Sequence, residues 1–244
     1  NEEQRNIEAN RNRVIGNKSI QRLDPFLMLD HLEEISLPQG FPDHMHRGFE
    51  TVTYIIKGQF LHEDFKGNKG TLSAGDVQWM TAGKGIVHSE IPASSLEKSA
   101  GFQLWIDLKK ENKLCDPKYQ EIKGENFPIA IGENNFYEVK IISGIFEGKK
   151  GNCISDNPTS FFDVKLKCGK EIIIPIEEGC VGFVYNFEGE DISIEGNKIS
   201  RLFAGSFSNE NGKKAKKIKI LSLSEKVDNR FLVIFGKPFN QPVC

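Results

Sequence analysis

The chain has 244 residues, of which 38% are hydrophobic and 27% are charged, and its formal net charge is −2. This composition is typical of a globular protein with one large β unit or two domains, and it argues against disorder. The small net charge argues against direct binding to nucleic acid or to an anionic membrane. No apolar run is long enough for a membrane span and no signal peptide is visible, so we expect a cytoplasmic or nuclear protein.

Taken in chain order, short segments rich in β-branched and aromatic residues predict an all-β protein. Glycine, asparagine, aspartate or proline bounds each segment. The segments are ETVTYIIKGQFLHED and GFQLWIDL, followed by SFFDVKLK, EIIIPI, VGFVYNFEG, IKILSLS and RFLVIFG. Turn signals recur about every ten residues, which is typical of an antiparallel sandwich or barrel, and we expect helices to be few and short.

A polar stretch separates two comparable halves of the chain. Between residues 108 and 129 the sequence KKENKLCDPKYQEIKGENFP has two prolines and no alternation, which predicts a linker. We therefore predict an N-terminal domain at 1–125 and a C-terminal domain at 126–244. Each half has enough strand-like segments for one barrel, but no residue-level repeat supports a duplication.

The histidines indicate a metal site in the first half, because all five of them lie within the first 88 residues. On a strand, residues two apart share a face, so His44 and His46 converge, and the same rule joins His88 to Glu90. If the strand stays regular beyond His46, Glu50 lies on that face as well. Three imidazoles and one carboxylate suit a first-row divalent metal, with either Glu50 or Glu90 as the fourth ligand.

Other candidate ligands lack partners at ligand spacing. His31 and His62 stand among acidic neighbours, and we expect neither to bind metal. The second half has no histidine, and the chain has no CxxC pair, so the C-terminal domain is predicted to be metal-free. We expect the cysteines to be reduced and mostly structural; they are Cys115, Cys153, Cys168, Cys180 and Cys244.

Two further features have both a functional and a structural interpretation. The aromatic residues Trp79, Phe102 and Trp105 could line a pocket for an aromatic substrate, but ordinary barrel core explains each of them as well. The run KKAKKIK at 213–219 could be a nuclear localisation patch, although such runs are more often solvated hairpin edges.

The motifs HRGFETVTY and GDVQWMTAGKGIVHSE resemble the pirin family of the cupin superfamily. The resemblance is dense over residues 13–108 and weaker but collinear to about residue 243. It implies a bicupin, two β-barrels in tandem, with one iron held by His44, His46, His88 and Glu90. Other first-row divalent metals could substitute for the iron. Where the family usually has His-Pro-His, this chain has Met45 between the histidines.

The resemblance also implies two alternative functions. The first is a quercetin 2,3-dioxygenase that opens a flavonol or similar small aromatic substrate, with Glu90 or Glu50 as the general base. The second is an iron-dependent transcriptional coregulator that binds a transcription factor and has no flavonol substrate. In both cases we expect a monomer.

Overall fold

The structure is a computed structural model that describes residues 11–208 and 216–242. The chain divides into two compact units: residues 1–126 with 240–244, and residues 127–239. Strands dominate both units, and the helices of the described residues are single 3₁₀ turns at Lys110–Asn112, Gly124–Asn126 and Glu133–Asn135. The prediction of an all-β protein with few, short helices is confirmed.

The N-terminal unit contains a six-stranded and a four-stranded antiparallel sheet. The six-stranded sheet has the order β1-β2-β9-β4-β7-β10, and the four-stranded sheet has the order β3-β8-β5-β6. The strands are β1 (Arg11–Ile15), β2 (Phe26–Ile35), β3 (Phe41–His46), β4 (Phe49–Lys57), β5 (Gln59–Asp64), β6 (Lys69–Ser73), β7 (Val77–Thr81), β8 (Ile86–Pro92), β9 (Ser99–Asp107) and β10 (Lys118–Ile122).

The C-terminal unit repeats this arrangement, with a six-stranded sheet of order β11-β12-β15-β22-β17-β20 and a four-stranded sheet of order β16-β21-β18-β19. Its strands are β11 (Ile129–Ile131), β12 (Tyr137–Ser143), β13 (Ile145–Phe146), β14 (Lys149–Lys150), β15 (Thr159–Leu166), β16 (Glu171–Ile176), β17 (Val181–Glu188), β18 (Ile192–Ile194), β19 (Asn197–Ile199), β20 (Phe203–Ser208), β21 (Lys216–Ser222) and β22 (Asn229–Gly236). The strands β13 and β14 form a separate hairpin.

The two units differ in what fills the space between their sheets. In the C-terminal unit one continuous apolar cluster runs from Ala130 to Phe235, and it includes Ile174, Val184 and Phe231. Among the described residues, the N-terminal unit shows smaller apolar clusters around Phe60 and around Met80, and it also buries Trp79 and Phe102. Buried polar and charged side chains lie in the same unit, as a functional site requires.

The predicted linker at 108–129 is not wholly a linker. Residues 118–122 form β10, which pairs with β7 in a regular register from Lys118 opposite Thr81 to Ile122 opposite Val77. The sequence hides this strand because β10 has no alternating apolar face: Tyr119 and Glu121 alternate with Lys118 and Gln120.

Two further predictions bear on localisation. Within the described part of the chain no helix is long and apolar enough to cross a membrane. The first residues of the KKAKKIK run lie outside the described residues, while Lys217–Lys219 belong to β21.

Candidate metal centre

Two neighbouring strands bring three histidines together. His44 and His46 lie on the same face of β3, and the register of β3 with β8 places His44 directly opposite His88. The ring centroids are 4.6–4.9 Å apart: 4.7 Å for His44 and His46, 4.6 Å for His44 and His88, and 4.9 Å for His46 and His88. One ring nitrogen from each residue lies within 4.8 Å of the other two, so a single ion could contact all three.

The hydrogen bonding of the rings also fits a metal ion. His44 Nδ1 lies 2.8 Å from the carbonyl oxygen of Pro42, so a proton on Nδ1 donates there and leaves Nε2 as a ligand. His46 and His88 are buried, and neither ring nitrogen of either residue has a hydrogen-bond partner among the described residues. Buried polar atoms without partners are costly, and a metal ion would supply the missing interaction.

Burial keeps the ligand nitrogens in the neutral form that a metal requires. Burial, assisted by the neighbouring His88 and His44, lowers the pKa of His46 from 6.5 to about 3. The pKa of His88 is lowered as well, first by burial, and the negative charge of Glu90 opposes that effect. Protons therefore compete weakly for these two imidazoles at neutral pH.

Glu90 stands two residues after His88 on the same face of β8, but its carboxylate is not part of the three-histidine group of the described residues and is held at both oxygens by other side chains. Thr53 Oγ1 donates to Oε1 at 2.6 Å, and Gln103 Nε2 donates to Oε2 at 2.7 Å. Gln103 Nε2 also donates to Thr53 Oγ1 at 3.2 Å. The carboxylate is thus oriented by two buried side chains, and Glu90 lines the same cavity as His44 and His46.

Glu50 does not share the face of the histidines, contrary to the sequence expectation. The strand is interrupted at Arg47 and Gly48, where Gly48 has φ +79°, and β4 starts again in the other sheet. On β4 Thr53 points to Glu90, so the alternation of the strand directs Glu50 to the opposite face, where it accepts a hydrogen bond of 2.8 Å from Thr81. The sequence argument that put Glu50 on the histidine face therefore does not hold, and Glu50 is placed as a hydrogen-bond acceptor of Thr81.

A cavity of about 210 Å³ opens beside His44, His46 and Glu90. Its walls include Met28 and Phe41, and also Trp105, whose ring lies 5.2 Å from His46 in a T-shaped arrangement. The sequence left open whether three aromatic residues line a pocket or belong to the barrel core. Trp105 lines this cavity, whereas Trp79 and Phe102 are fully buried.

Sequence reasoning missed the residues that surround the ligands. Thr53 and Gln103 stand on predicted strands, but only the pairing of β4 with β9 shows that they are opposite one another. A second missed pair is Arg13 and Asp30, which face each other across β1 and β2 and form a salt bridge at the cavity wall. Alternation on each strand could have indicated the face of these residues, but not their partners.

The two remaining histidines have other neighbours. His62 is buried, and its Nε2 lies 2.8 Å from Glu121 Oε1. His31 Nδ1 lies 3.7 Å from Glu33 Oε1, and its ring packs on Phe102 with centroids 4.6 Å apart. Neither residue belongs to the three-histidine group of the described residues.

The comparisons with known proteins agree with this fold. Residues 7–106 match the family model for Pirin. A pirin-like protein of Solanum lycopersicum is 44% identical over 95% of this chain and 77% of its own length, and pirin of Homo sapiens is 36% identical over 99% and 81%. The crystal structure of quercetin 2,3-dioxygenase from Acinetobacter baumannii superposes with a TM-score of 0.88 at 28% identity, covering 98% of this chain and 84% of that one.

Two β-barrel units, with a group of three histidines in the first, define a bicupin with a candidate metal centre, so the predicted fold class is confirmed. Among bicupins, the sequence relatives of this chain point to one family. The chain belongs to the pirin family.

Proposed function

We propose that this protein is a mononuclear metal-dependent dioxygenase of the quercetin 2,3-dioxygenase type, with iron held by His44, His46, His88 and Glu90. The observation that carries the proposal is the three-histidine group, two of whose members, His44 and His46, line a cavity with aromatic walls. The similarity to the Acinetobacter baumannii quercetin 2,3-dioxygenase supports the reaction type. Glu90 is proposed as the fourth ligand because it follows His88 by two residues on β8 and lines the cavity with His44 and His46.

The bound metal would supply Lewis-acid activation of a substrate hydroxyl and a place for dioxygen beside it. The protein supplies the remaining functions. Trp105, Phe41 and Met28 provide an apolar wall that orients a flat ring and excludes water. Glu90 can accept the proton of the substrate hydroxyl, and Thr53 and Gln103 hold its carboxylate in place for that step.

Anaerobic titration of the iron-loaded protein with quercetin, followed by admission of oxygen, tests the proposal. We expect a spectral change on binding and oxygen uptake that matches loss of quercetin. His88→Ala should abolish both. His62→Ala is the matched control, because His62 is a buried histidine of the same barrel that lies against Glu121 and should leave turnover unchanged. Absence of turnover with a fully iron-loaded protein would contradict the proposal.

A second candidate function is supported by the outer face of the strands that carry the histidines. Met45 on β3 is 78% exposed, its register partner Val87 on β8 is 36% exposed, and Phe65 nearby is 62% exposed. Exposed apolar residues behind the metal centre are consistent with a protein-binding coregulator whose affinity depends on the metal. Binding to a transcription factor that differs between ferrous and ferric protein, with no flavonol turnover, would favour this alternative.

A further inference from the structure

Two arginines and one aspartate stand at the wall of the cavity that adjoins the histidines. Arg11 and Arg13 lie two residues apart on β1, and Asp30 faces Arg13 across the β1–β2 ladder. Asp30 is buried, whereas the side chain of Arg11 is 40% exposed. The cavity therefore has an apolar wall, a side formed by His44, His46 and Glu90, and a basic rim.

Arg13 occupies both oxygens of Asp30. Its Nε donates to Oδ1 and its Nη2 donates to Oδ2 at 2.9 Å, which is the bidentate arrangement of an arginine and a carboxylate. Arg11 Nη1 is 3.8 Å from Asp30 Oδ2, which is too far for a hydrogen bond. Within residues 11–208 and 216–242, the guanidinium of Arg11 donates no hydrogen bond, so its donors are available to a ligand in the cavity.

The charges favour an anionic ligand. Asp30 carries one negative charge beside two guanidinium groups, in hydrogen-bond contact with Arg13 and 3.8 Å from Arg11, so the three side chains together carry a net positive charge. If the histidines and Glu90 hold a divalent cation, the cavity carries a further net positive charge. A ligand that bears a second acidic group, besides the oxygen that faces the histidines, would match this distribution.

The size of the cavity favours a small ligand. Its volume is about 210 Å³, below the roughly 300–1,000 Å³ that is usual for small-molecule sites. With Trp105, Phe41 and Met28 as walls, this volume accommodates one aromatic ring with its substituents.

We propose that the natural substrate class is a hydroxylated single-ring aromatic carboxylate, whose hydroxyl oxygens face His44, His46 and Glu90 and whose carboxylate pairs with Arg11. This inference rests on the proposed function, because it assigns the ligand of the same site. It makes Arg11 the residue that distinguishes acidic aromatic compounds from neutral ones.

The test compares two ligands that have the same shape and differ in charge: 3,4-dihydroxybenzoate and 3,4-dihydroxybenzamide. Affinities are measured by calorimetry under argon, with the iron-loaded protein, so that binding is observed without turnover. We expect the wild-type protein to prefer the benzoate by about tenfold, in line with one charge-assisted, partly exposed pair. Arg11→Gln should remove this preference while leaving the affinity for the benzamide unchanged, and Arg11→Lys should retain part of it.

Arg22→Gln is the matched control, because Arg22 is an exposed arginine of the same unit that does not line the cavity; it should keep the full preference. Equal binding of the two ligands to the wild-type protein would overturn the inference. A preference that persists in Arg11→Gln would also overturn it, because the carboxylate would then contact another group. Oxygen uptake with quercetin and with 3,4-dihydroxybenzoate, measured on the same preparations, separates the two proposals. The dioxygenase proposal fails if neither compound is turned over, and the inference about the ligand fails if the benzoate preference is absent while quercetin is turned over.

Discussion

The proposed role of Glu90 as a metal ligand depends on two uncharged side chains. Thr53 and Gln103 each donate to one oxygen of its carboxylate, at 2.6 and 2.7 Å, and both residues are buried. Hydrogen bonds of this kind fix the direction of a ligand and tune its basicity. A carboxylate that is held at both oxygens is ready to approach an ion with little loss of side-chain entropy.

This arrangement predicts that Thr53→Val weakens metal binding. Valine matches threonine in shape but cannot donate to Glu90 Oε1, so we expect affinity to fall by about tenfold to a hundredfold. Thr53→Ser should restore most of it, and Thr51→Val, two residues away on the same strand, should have little effect. Competition with a coloured chelator measures these affinities. Equal affinities for the valine and serine variants would show that the hydrogen bond is unimportant.

The low pKa of His46 predicts an acid sensitivity of the metal-free protein. Its pKa is lowered from 6.5 to about 3, so between these values the unfolded chain binds a proton that the folded chain does not. Stability is therefore fully present above the unfolded value and is lost as pH falls from 6.5 toward 3. The loss is at most about 1.4 kcal/mol per pH unit for this residue.

His46→Gln isolates this contribution, because glutamine does not titrate. Urea unfolding of the two metal-free proteins at pH 7.5, 5.5 and 4.5 should give free energies of unfolding that converge as pH falls. Parallel curves over this range would mean that His46 is protonated as easily in the folded protein as in the unfolded one.

At the level of the elements, the alternation of side chains along one strand correctly predicts which residues share a face, but only as far as the end of that strand. It places His44 with His46 and His88 with Glu90, as the structure does. It fails for Glu50, because the break at Gly48 transfers the chain from one sheet to the other and resets the alternation. The sequence could not show this break as a change of sheet, since a glycine next to an arginine is equally compatible with a bulge in a continuous strand.

The same limit applies to β10. Apolar alternation is the main sequence signal of a strand, and no residue of β10 is buried. Its contacts are polar: Gln78 Nε2 donates to Glu121 Oε1 at 3.0 Å, and His62 Nε2 lies 2.8 Å from the same carboxylate. A strand of this kind is recognisable only once its partners are known. The pairing of sheets, and not the pattern of one segment, therefore sets the boundary of the N-terminal unit near Asn126.

The pairing of β5 with β6 predicts a tight contact between His62 and the strand opposite it. Gly70 lies opposite His62, and a Cβ at Gly70 would lie 2.3 Å from His62 Nε2. Gly70→Ala should therefore displace the imidazole and lower the free energy of unfolding by about 1–3 kcal/mol. In a His62→Ala background the same change should cost almost nothing. Chemical denaturation of the four proteins of this cycle gives the coupling, and additive effects would contradict the proposed contact.

At the level of the whole molecule, the two units repeat one architecture with different interiors. An apolar cluster fills the C-terminal unit, whereas the N-terminal unit buries polar and charged side chains together with its aromatic residues. All five histidines belong to the N-terminal unit. The candidate ligands therefore lie in one of the two barrels.

This division predicts one tightly bound metal ion per chain. The described residues contain one group of three potential ligands, His44, His46 and His88, and the second half of the chain has no histidine. Elemental analysis of the purified, dialysed protein should give about one ion per chain, and His88→Ala should reduce this value toward zero because two imidazoles and a carboxylate hold a divalent ion far less tightly. His31→Ala is the matched control, since His31 packs on Phe102 away from the other histidines, and it should keep the full complement. A second ion that persists in His88→Ala would place another site in the chain and would contradict the assignment of metal binding to the N-terminal barrel alone.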